Sequence, residues 1–261
     1  MKSMGFAGRY GPVALVTGAS SGIGLAFAEQ LAAKGLDLVL VARRGGRLEE
    51  LADRLRQAHG VAVHICEIDL ARPDAAQRML EATAALDVGL VVSNAGFGYK
   101  GAFEDGDPQL MSDMLAVNCH TPTQLAHGFV PRLRKRGRGG IIFTASVEGL
   151  IGCPYSAVYS ATKGYMTSLG EALWAELTPE GTDVLTLCPG ATATEALARH
   201  GIDPASLPNL MSADEVARLA LDNIGEGPIY IPSDHYRASF GQLLAMPRRD
   251  ALMAMARSMK P

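Results

Sequence analysis

Nowhere in the 261 residues do about 18 apolar side chains run together, the length that a membrane-spanning helix requires. Residues 1 to 11 include Lys2 and Arg9 but no long apolar run, which argues against a secretory leader in that stretch. Cysteine is scarce: Cys66, Cys119, Cys153 and Cys188 stand far apart, form no C-x-x-C pair and have no histidine at metal spacing. Neither a disulfide framework nor a metal site is therefore expected, and reduced thiols in a cytoplasmic protein are the economical reading. Basic charge is thin as well. The formal net charge is −3, and the one dense basic cluster, Arg132-Leu133-Arg134-Lys135-Arg136-Gly137-Arg138, reads as a solvated helix end. Nucleic acid is not an expected partner, because neutralising phosphates takes clustered Lys and Arg.

Apolar residues make up 48% of the chain, enough for one large core, so a single domain over residues 1–261 is expected. Short β-branched runs at 12–17, 37–42, 61–66, 88–93, 140–145, 183–188 and 228–231 read as strands. Between them, segments such as Leu25 to Lys34 and Leu48 to Ala58 repeat apolar residues at three and four positions, the signature of half-buried helices. Alternation of this kind predicts an α/β chain with a seven-stranded parallel sheet. The longest irregular stretch, Gly190 to Met211 with Pro204 and Pro208, is expected to be a functional loop near the substrate. A Met-rich helix is expected near 240–260, carrying Arg248, Arg249, Arg257 and Lys260 and packed on its own domain or a sister subunit.

Thr17-Gly18-Ala19-Ser20-Ser21-Gly22-Ile23-Gly24 follows the first strand and opens a helical pattern. Gly18 permits a tight turn, Gly22 lets the backbone approach a ligand, and Gly24 lets the helix pack on the sheet. The helix N-terminus then offers N–H groups to a pyrophosphate, which predicts a doubly wound Rossmann fold with helices on both faces. The second strand ends Ala42-Arg43-Arg44 with no carboxylate there to accept a ribose hydroxyl, so arginine and a 2′-phosphate, hence NADP, are expected.

Further marks recur in order: Asp69 after the third strand, Asn94-Ala95-Gly96 after the fourth, Asn118, Ser146, Tyr159-x-x-x-Lys163 and Pro189-Gly190. With the glycine turn, they resemble the short-chain dehydrogenase/reductase family over nearly the whole chain. Ser93 departs from it, since many relatives carry a second asparagine there. The resemblance implies an NADP(H)-dependent oxidoreductase that interconverts a carbonyl and a secondary alcohol. It implies that Gly18, Ser20, Ser21, Gly22, Ile23 and Gly24 hold the pyrophosphate side of the cofactor. Asp69 and Leu70 would meet the adenine, Asn94, Ala95 and Gly96 would line the central strands, and Pro189-Gly190 would pass the nicotinamide. Thr192 or Thr194 would contact the carboxamide or the pyrophosphate. Lys163 would also bind the nicotinamide ribose, and Asn118 would hold a water linking Lys163 to solvent. Relatives commonly assemble through the long helices carrying Asn118 and Tyr159, so a homodimer or homotetramer is expected.

Carbonyl reduction needs a proton donor within reach of the oxygen that gains charge. Tyr159 is the expected acid/base, and a Lys163 ammonium one helical turn away is expected to favour its phenolate. Ser146 would hold the substrate oxygen, a contact whose loss elsewhere costs on the order of 3 kcal/mol. Leu150, Ile151, Leu197, Leu207, Leu210 and Met211 are expected to line an apolar pocket for an apolar or acyl-chain ketone, a 3-oxoacyl thioester among the alternatives. A serine hydrolase fits poorly: no G-x-S-x-G surrounds Ser146, and His59, His64, His120, His127, His200 and His235 are scattered. A nucleotide-sensing protein on the same fold is the other alternative, against which the retention of Tyr159 and Lys163 argues.

Overall fold

The seven apolar runs pair side by side in one sheet. A computed structural model describes residues 5–199, 201, 203–207 and 209–259, less the side chain of Arg199. His200, Pro208 and Lys260 lie outside the described residues. The elements run α1 (Phe6–Tyr10), β1 (Val13–Thr17), α2 (Gly22–Ala33), β2 (Asp37–Ala42), α3 (Gly45–His59), β3 (Val63–Glu67), α4 (Ala75–Ala82) and β4 (Val88–Ser93). They continue through α5 (Pro108–Leu115), α6 (Thr121–Arg136), β5 (Gly139–Thr144), α7 (Ala157–Leu177), β6 (Thr182–Leu187), β7 (Thr192–Ala193) and α8 (Glu195–Arg199). The last are β8 (Met211–Ser212), α9 (Ala213–Asp222), β9 (Ile229–Tyr230), α10 (Asp234–Ala245) and α11 (Arg248–Ser258).

Strand order is β3-β2-β1-β4-β5-β6-β9, and every ladder is parallel. Parallel strands need crossovers that place helices on both faces, so β1, β4, β5 and β6 are buried at every position. The period of two sorts β1 between two cores. Ala14 and Val16 pack with Phe27 and Leu31, whereas Val13 and Leu15 pack with Met79 and Phe129. The order reverses between β1 and β4, and in such sheets a crevice opens there at the carboxyl ends of the strands.

Three expectations change in detail. The 190–211 stretch is not plain loop: Thr192 pairs with Met211 and Ala193 with Ser212, and α8 lies between these two short strands. The single helix expected near 240–260 is two, because Pro247 lacks an N–H and forces Met246 out of helical geometry, to φ −75° and ψ 156°. The basic cluster is only partly solvated. Arg132 donates to the carbonyls of Leu80 and Thr83, and Arg136 donates to the Gly11 carbonyl at 2.6 Å and pairs with Asp87.

Helix α2 meets the sheet so closely that a Cβ at Gly24 would strike the Gly18 carbonyl. Gly24→Ala should lower stability by about 1–3 kcal/mol, the usual cost of overpacking. Urea unfolding checks this, and an unchanged midpoint would mean that the turn can yield.

Candidate active site

The turn from β1 into α2 shapes one side of the crevice. Gly18 and Gly22 have φ of 71° and 57°, the left-handed region that a side chain resists. Helix α2 begins at Gly22, and its N-cap Ser21 makes no side-chain capping bond, so the first-turn N–H groups lack a side-chain acceptor. The Ser20 and Ser21 hydroxyls instead accept from Arg44, Nε to Ser20 Oγ at 3.1 Å and Nη2 to Ser21 Oγ at 2.7 Å. Arg43 is exposed and points to no protein partner. A cavity of about 450 Å³ opens beside the turn, lined by Ser20, Ser21, Gly22, Arg47, Thr194 and Leu197 among others. Ile23 packs inward against the core.

Hydrogen bonds fasten the floor of the crevice. Thr17 Oγ1 accepts from the N–H groups of Asn94 and Ala95, at 2.9 and 3.0 Å, and Asn94 Nδ2 donates to the Thr17 carbonyl. Thr144 Oγ1 donates to Asn94 Oδ1 at 3.2 Å, so Asn94 joins the ends of β1, β4 and β5. Asp69 folds its Oδ1 onto the Ala71 N–H in a local turn, and the Leu70 carbonyl accepts from Thr121. Gly190 admits the Tyr236 ring where a side chain would collide, and the Pro189 carbonyl accepts from the Val147 N–H. Thr192 Oγ1 donates to the Gly190 carbonyl, while the Thr194 methyl group lies over Gly22.

Ser146, Tyr159 and Lys163 converge at the end of β5. Lys163 is buried, and its Nζ donates to the Thr144 carbonyl at 2.7 Å and lies 5.6 Å from the Tyr159 ring centre. Ser146 Oγ accepts from the Glu148 N–H at 3.1 Å, and its hydroxyl lies near enough to the Tyr159 phenol to favour the charged form. Glycine makes room on three sides. A Cβ at Gly98 would come 2.9 Å from the tyrosine ring, one at Gly96 would come 3.1 Å from Lys163 Nζ, and one at Gly149 would press on the Lys163 backbone. Between α5 and α6 the helix widens into a π-turn over Ala116–His120, a form common at functional sites. This turn presents Asn118, whose Nδ2 donates to Phe97 O and Thr162 Oγ1 and whose Oδ1 accepts from Phe97 N–H.

Burial shapes the electrostatics of this pair. Burial pushes the Tyr159 phenol well above its ordinary value, the Glu148 carboxylate pushes it further, and the Ser146 hydrogen bond opposes them only in part. Burial also lowers Lys163, to about 8. Desolvation disfavours both charged forms, and Nζ is turned to the Thr144 carbonyl. The expected apolar lining is also divided. Ile151 is buried in a core cluster, Leu150 and Met211 pack against core clusters, and Leu197 lines the cavity beside the glycine turn.

Residues 12–204 match the sequence pattern of the family described as short chain dehydrogenase. The chain belongs to that family. It is 31% identical over 255 residues to a 7beta-hydroxysteroid dehydrogenase of Clostridium sardiniense, covering 97% of this chain and 98% of the relative. A short-chain dehydrogenase from Sphingobium yanoikuyae, solved in complex with NADPH, superposes with a TM-score of 0.81 at 37% identity, covering 93% of this chain and 95% of that one. A bulky-bulky ketone specific alcohol dehydrogenase from Comamonas testosteroni gives 0.78 at 32% identity, covering 94% of each chain. As a short-chain dehydrogenase the protein is an oxidoreductase that interconverts a carbonyl and an alcohol with a nicotinamide cofactor. The cradle suits a dinucleotide: side chains at Gly18 and Gly24 would close it, and the uncapped start of α2 offers N–H groups to phosphate. Among the described residues no helix is long and apolar enough to cross a membrane.

Sequence patterns missed three side chains at this site. Glu148 accepts from Ser156 Oγ at 2.7 Å, pairs with Lys100 at 3.3 Å and biases Tyr159. Arg47 and Glu195 close over the glycine turn beside Arg44, with Arg44 Nη1 to Glu195 Oε2 at 2.9 Å. A charge two residues beyond Ser146 was the only available signal for Glu148. Arg47 and Glu195 are 148 positions apart, and nothing local pairs them.

Lys163 makes a checkable contribution to stability. Its folded value of about 8 lies below its ordinary 10.5, so between those values the unfolded chain binds more protons and stability rises with pH. Tyr159, raised above its ordinary value, opposes this slope from about pH 10 upward, and a comparison with a variant that keeps the tyrosine removes that contribution. Relative to Lys163→Met, the wild type should gain urea resistance from about pH 8 to about pH 10. A difference that stays flat across that range would contradict the burial-driven shift.

Proposed function

We propose that the protein is an NADP(H)-dependent reductase of bulky apolar ketones, with Tyr159 as the proton donor. One observation carries the reading: the buried Lys163 ammonium, held by the Thr144 carbonyl at the end of β5, lies 5.6 Å from the Tyr159 ring centre, with Ser146 two residues beyond Thr144. When bound, the nicotinamide supplies or accepts the hydride. Ser146 Oγ and Tyr159 Oη together would hold a substrate oxygen, and Tyr159 Oη would donate its proton as charge builds there. A phenol whose proton affinity is raised is protonated at neutral pH, the form that carbonyl reduction uses. Lys163 would orient the ribose and, with a value of about 8, return a proton to Tyr159. Both Asn118 Nδ2 protons are engaged, so Oδ1, which keeps one lone pair, or the main-chain carbonyl would hold a relay water.

Arg44 and the Ser20 and Ser21 hydroxyls gather at the end of β2, where the sequence Ala42-Arg43-Arg44 itself carries no carboxylate, and this supports NADP over NAD. Asp69 Oδ2 is left for the adenine amino group, beside the Leu70 backbone. Gly96, Pro189, Gly190, Thr192 and Thr194 would border the nicotinamide half. The relatives acting on a hydroxysteroid and on bulky ketones support a wide apolar substrate. Four free cysteines support a cytoplasmic location. Leu115 on α5 and Tyr165 on α7, both large and exposed, support assembly of two or four copies through those helices. Residues 1–261 would then act as one domain, with 190–211 beside the substrate and α10 and α11 packed on the same core.

Two variants test the reading against a panel of steroid ketones, diaryl ketones and a 3-oxoacyl thioester. Tyr159→Phe should cut carbonyl reduction on the order of 10³-fold while leaving NADPH binding nearly intact. Full activity in that variant would remove the phenol from the reaction. Arg44→Ala should weaken NADPH binding by about tenfold or more with little effect on NADH, and Arg43→Ala should act in the same direction but less. Equal losses for both cofactors would contradict a phosphate clamp.

A further inference from the structure

Glu195 begins α8, in the segment beyond Pro189-Gly190, yet its carboxylate reaches the residues that follow β2. Oε2 takes Arg44 Nη1 at 2.9 Å, and Oε1 takes Arg47 Nη1. The same Arg44 guanidinium donates its Nε and Nη2 to the hydroxyls of Ser20 and Ser21. A carboxylate thus lies across two arginines at the rim of the 450 Å³ cavity, whose lining includes Ser20, Ser21, Gly22, Arg47, Thr194 and Glu195. Planar guanidinium forks bind carboxylate and phosphate oxygens with the same geometry, so one anion can replace the other.

We propose that Glu195 occupies the anion position that the cofactor's 2′-phosphate takes, so that phosphate binding and release of α8 from Arg44 and Arg47 are a single exchange. The inference rests on the NADP reading above and adds to it a competitor built into the chain, together with Arg47 as a second phosphate ligand. The competitor is permanently charged. The hydrogen bond from Arg47, and then that from Arg44, hold the Glu195 carboxyl down to about 2. The contact area around Glu195 is open enough for exchange, with about 39% of both the Arg44 and Glu195 side chains exposed. Ion pairs in that setting are weak enough to be displaced by a dianion.

The exchange is read without turnover, using adenosine 2′,5′-bisphosphate and adenosine 5′-monophosphate as probes. By calorimetry, Glu195→Gln should bind the bisphosphate about fivefold more tightly than the wild type, the scale of one or two partly exposed ion pairs. Binding of the monophosphate should change less than about twofold, since it lacks the competing group. By hydrogen exchange, the bisphosphate should speed exchange over Thr192–Ala198 in the wild type, and Glu195→Gln should show that faster exchange with no ligand present. A preference for the bisphosphate without tighter binding in Glu195→Gln, or a segment whose exchange does not respond, overturns the exchange alone. No preference for the bisphosphate in either protein overturns the NADP reading and the exchange with it.

Discussion

A single buried ammonium organises the crevice. Lys163 is 4% exposed, and its Nζ donates to the Thr144 carbonyl at 2.7 Å. An ammonium held that way is costly unless its surroundings are shaped to it, and the elements around it are arranged to that end. Gly96 comes close to the ammonium and Gly149 to the Lys163 backbone, Thr144 and Asn94 tie β5 to β4 and β1, and the π-turn brings Asn118 across to Thr162. The Lys163 carbonyl in turn accepts from Thr167 on the same helix. Sheet order, helix irregularity and small residues thus meet at one cation.

Desolvation sets the chemistry of that cation and its aromatic neighbour. It raises the phenol and lowers the ammonium, so the two proton affinities lie nearer to a neutral pair than to an ion pair. Glu148 adds to this on one side and Ser146 works against it on the other. Opposite charges one helical turn apart were expected to stabilise each other. Inside the fold, the loss of water opposes that attraction, and Nζ directs one N–H to a main-chain carbonyl and stands 5.6 Å from the ring centre.

Much of the architecture was legible in the residues. The β-branched runs became the strands of the parallel sheet to within about two residues, and Leu48, Leu51, Ala52 and Leu55 gave α3 its buried stripe. The glycines of the first turn lie where backbone geometry requires them, at positive φ or against a carbonyl. The pocket-lining residues were less legible. Apolar character marked Ile151 and Leu197 equally, but it does not tell a core position from a cavity wall. The C-terminal pattern concealed a break that Pro247 itself announced.

The sequence by itself determined the α/β class, the nucleotide turn and the Tyr159–Lys163 spacing, because these depend on local periodicity and on residue types that no other side chain can replace. Tertiary structure alone decided which groups press on Tyr159 and which arginine folds back onto the turn. It also decided what caps Arg44 and Arg47. Each of these joins residues far apart in the chain, and Glu195 meets Arg44 across 151 positions. Burial and charge at a site depend on everything that packs there, and only the closed fold fixes that company.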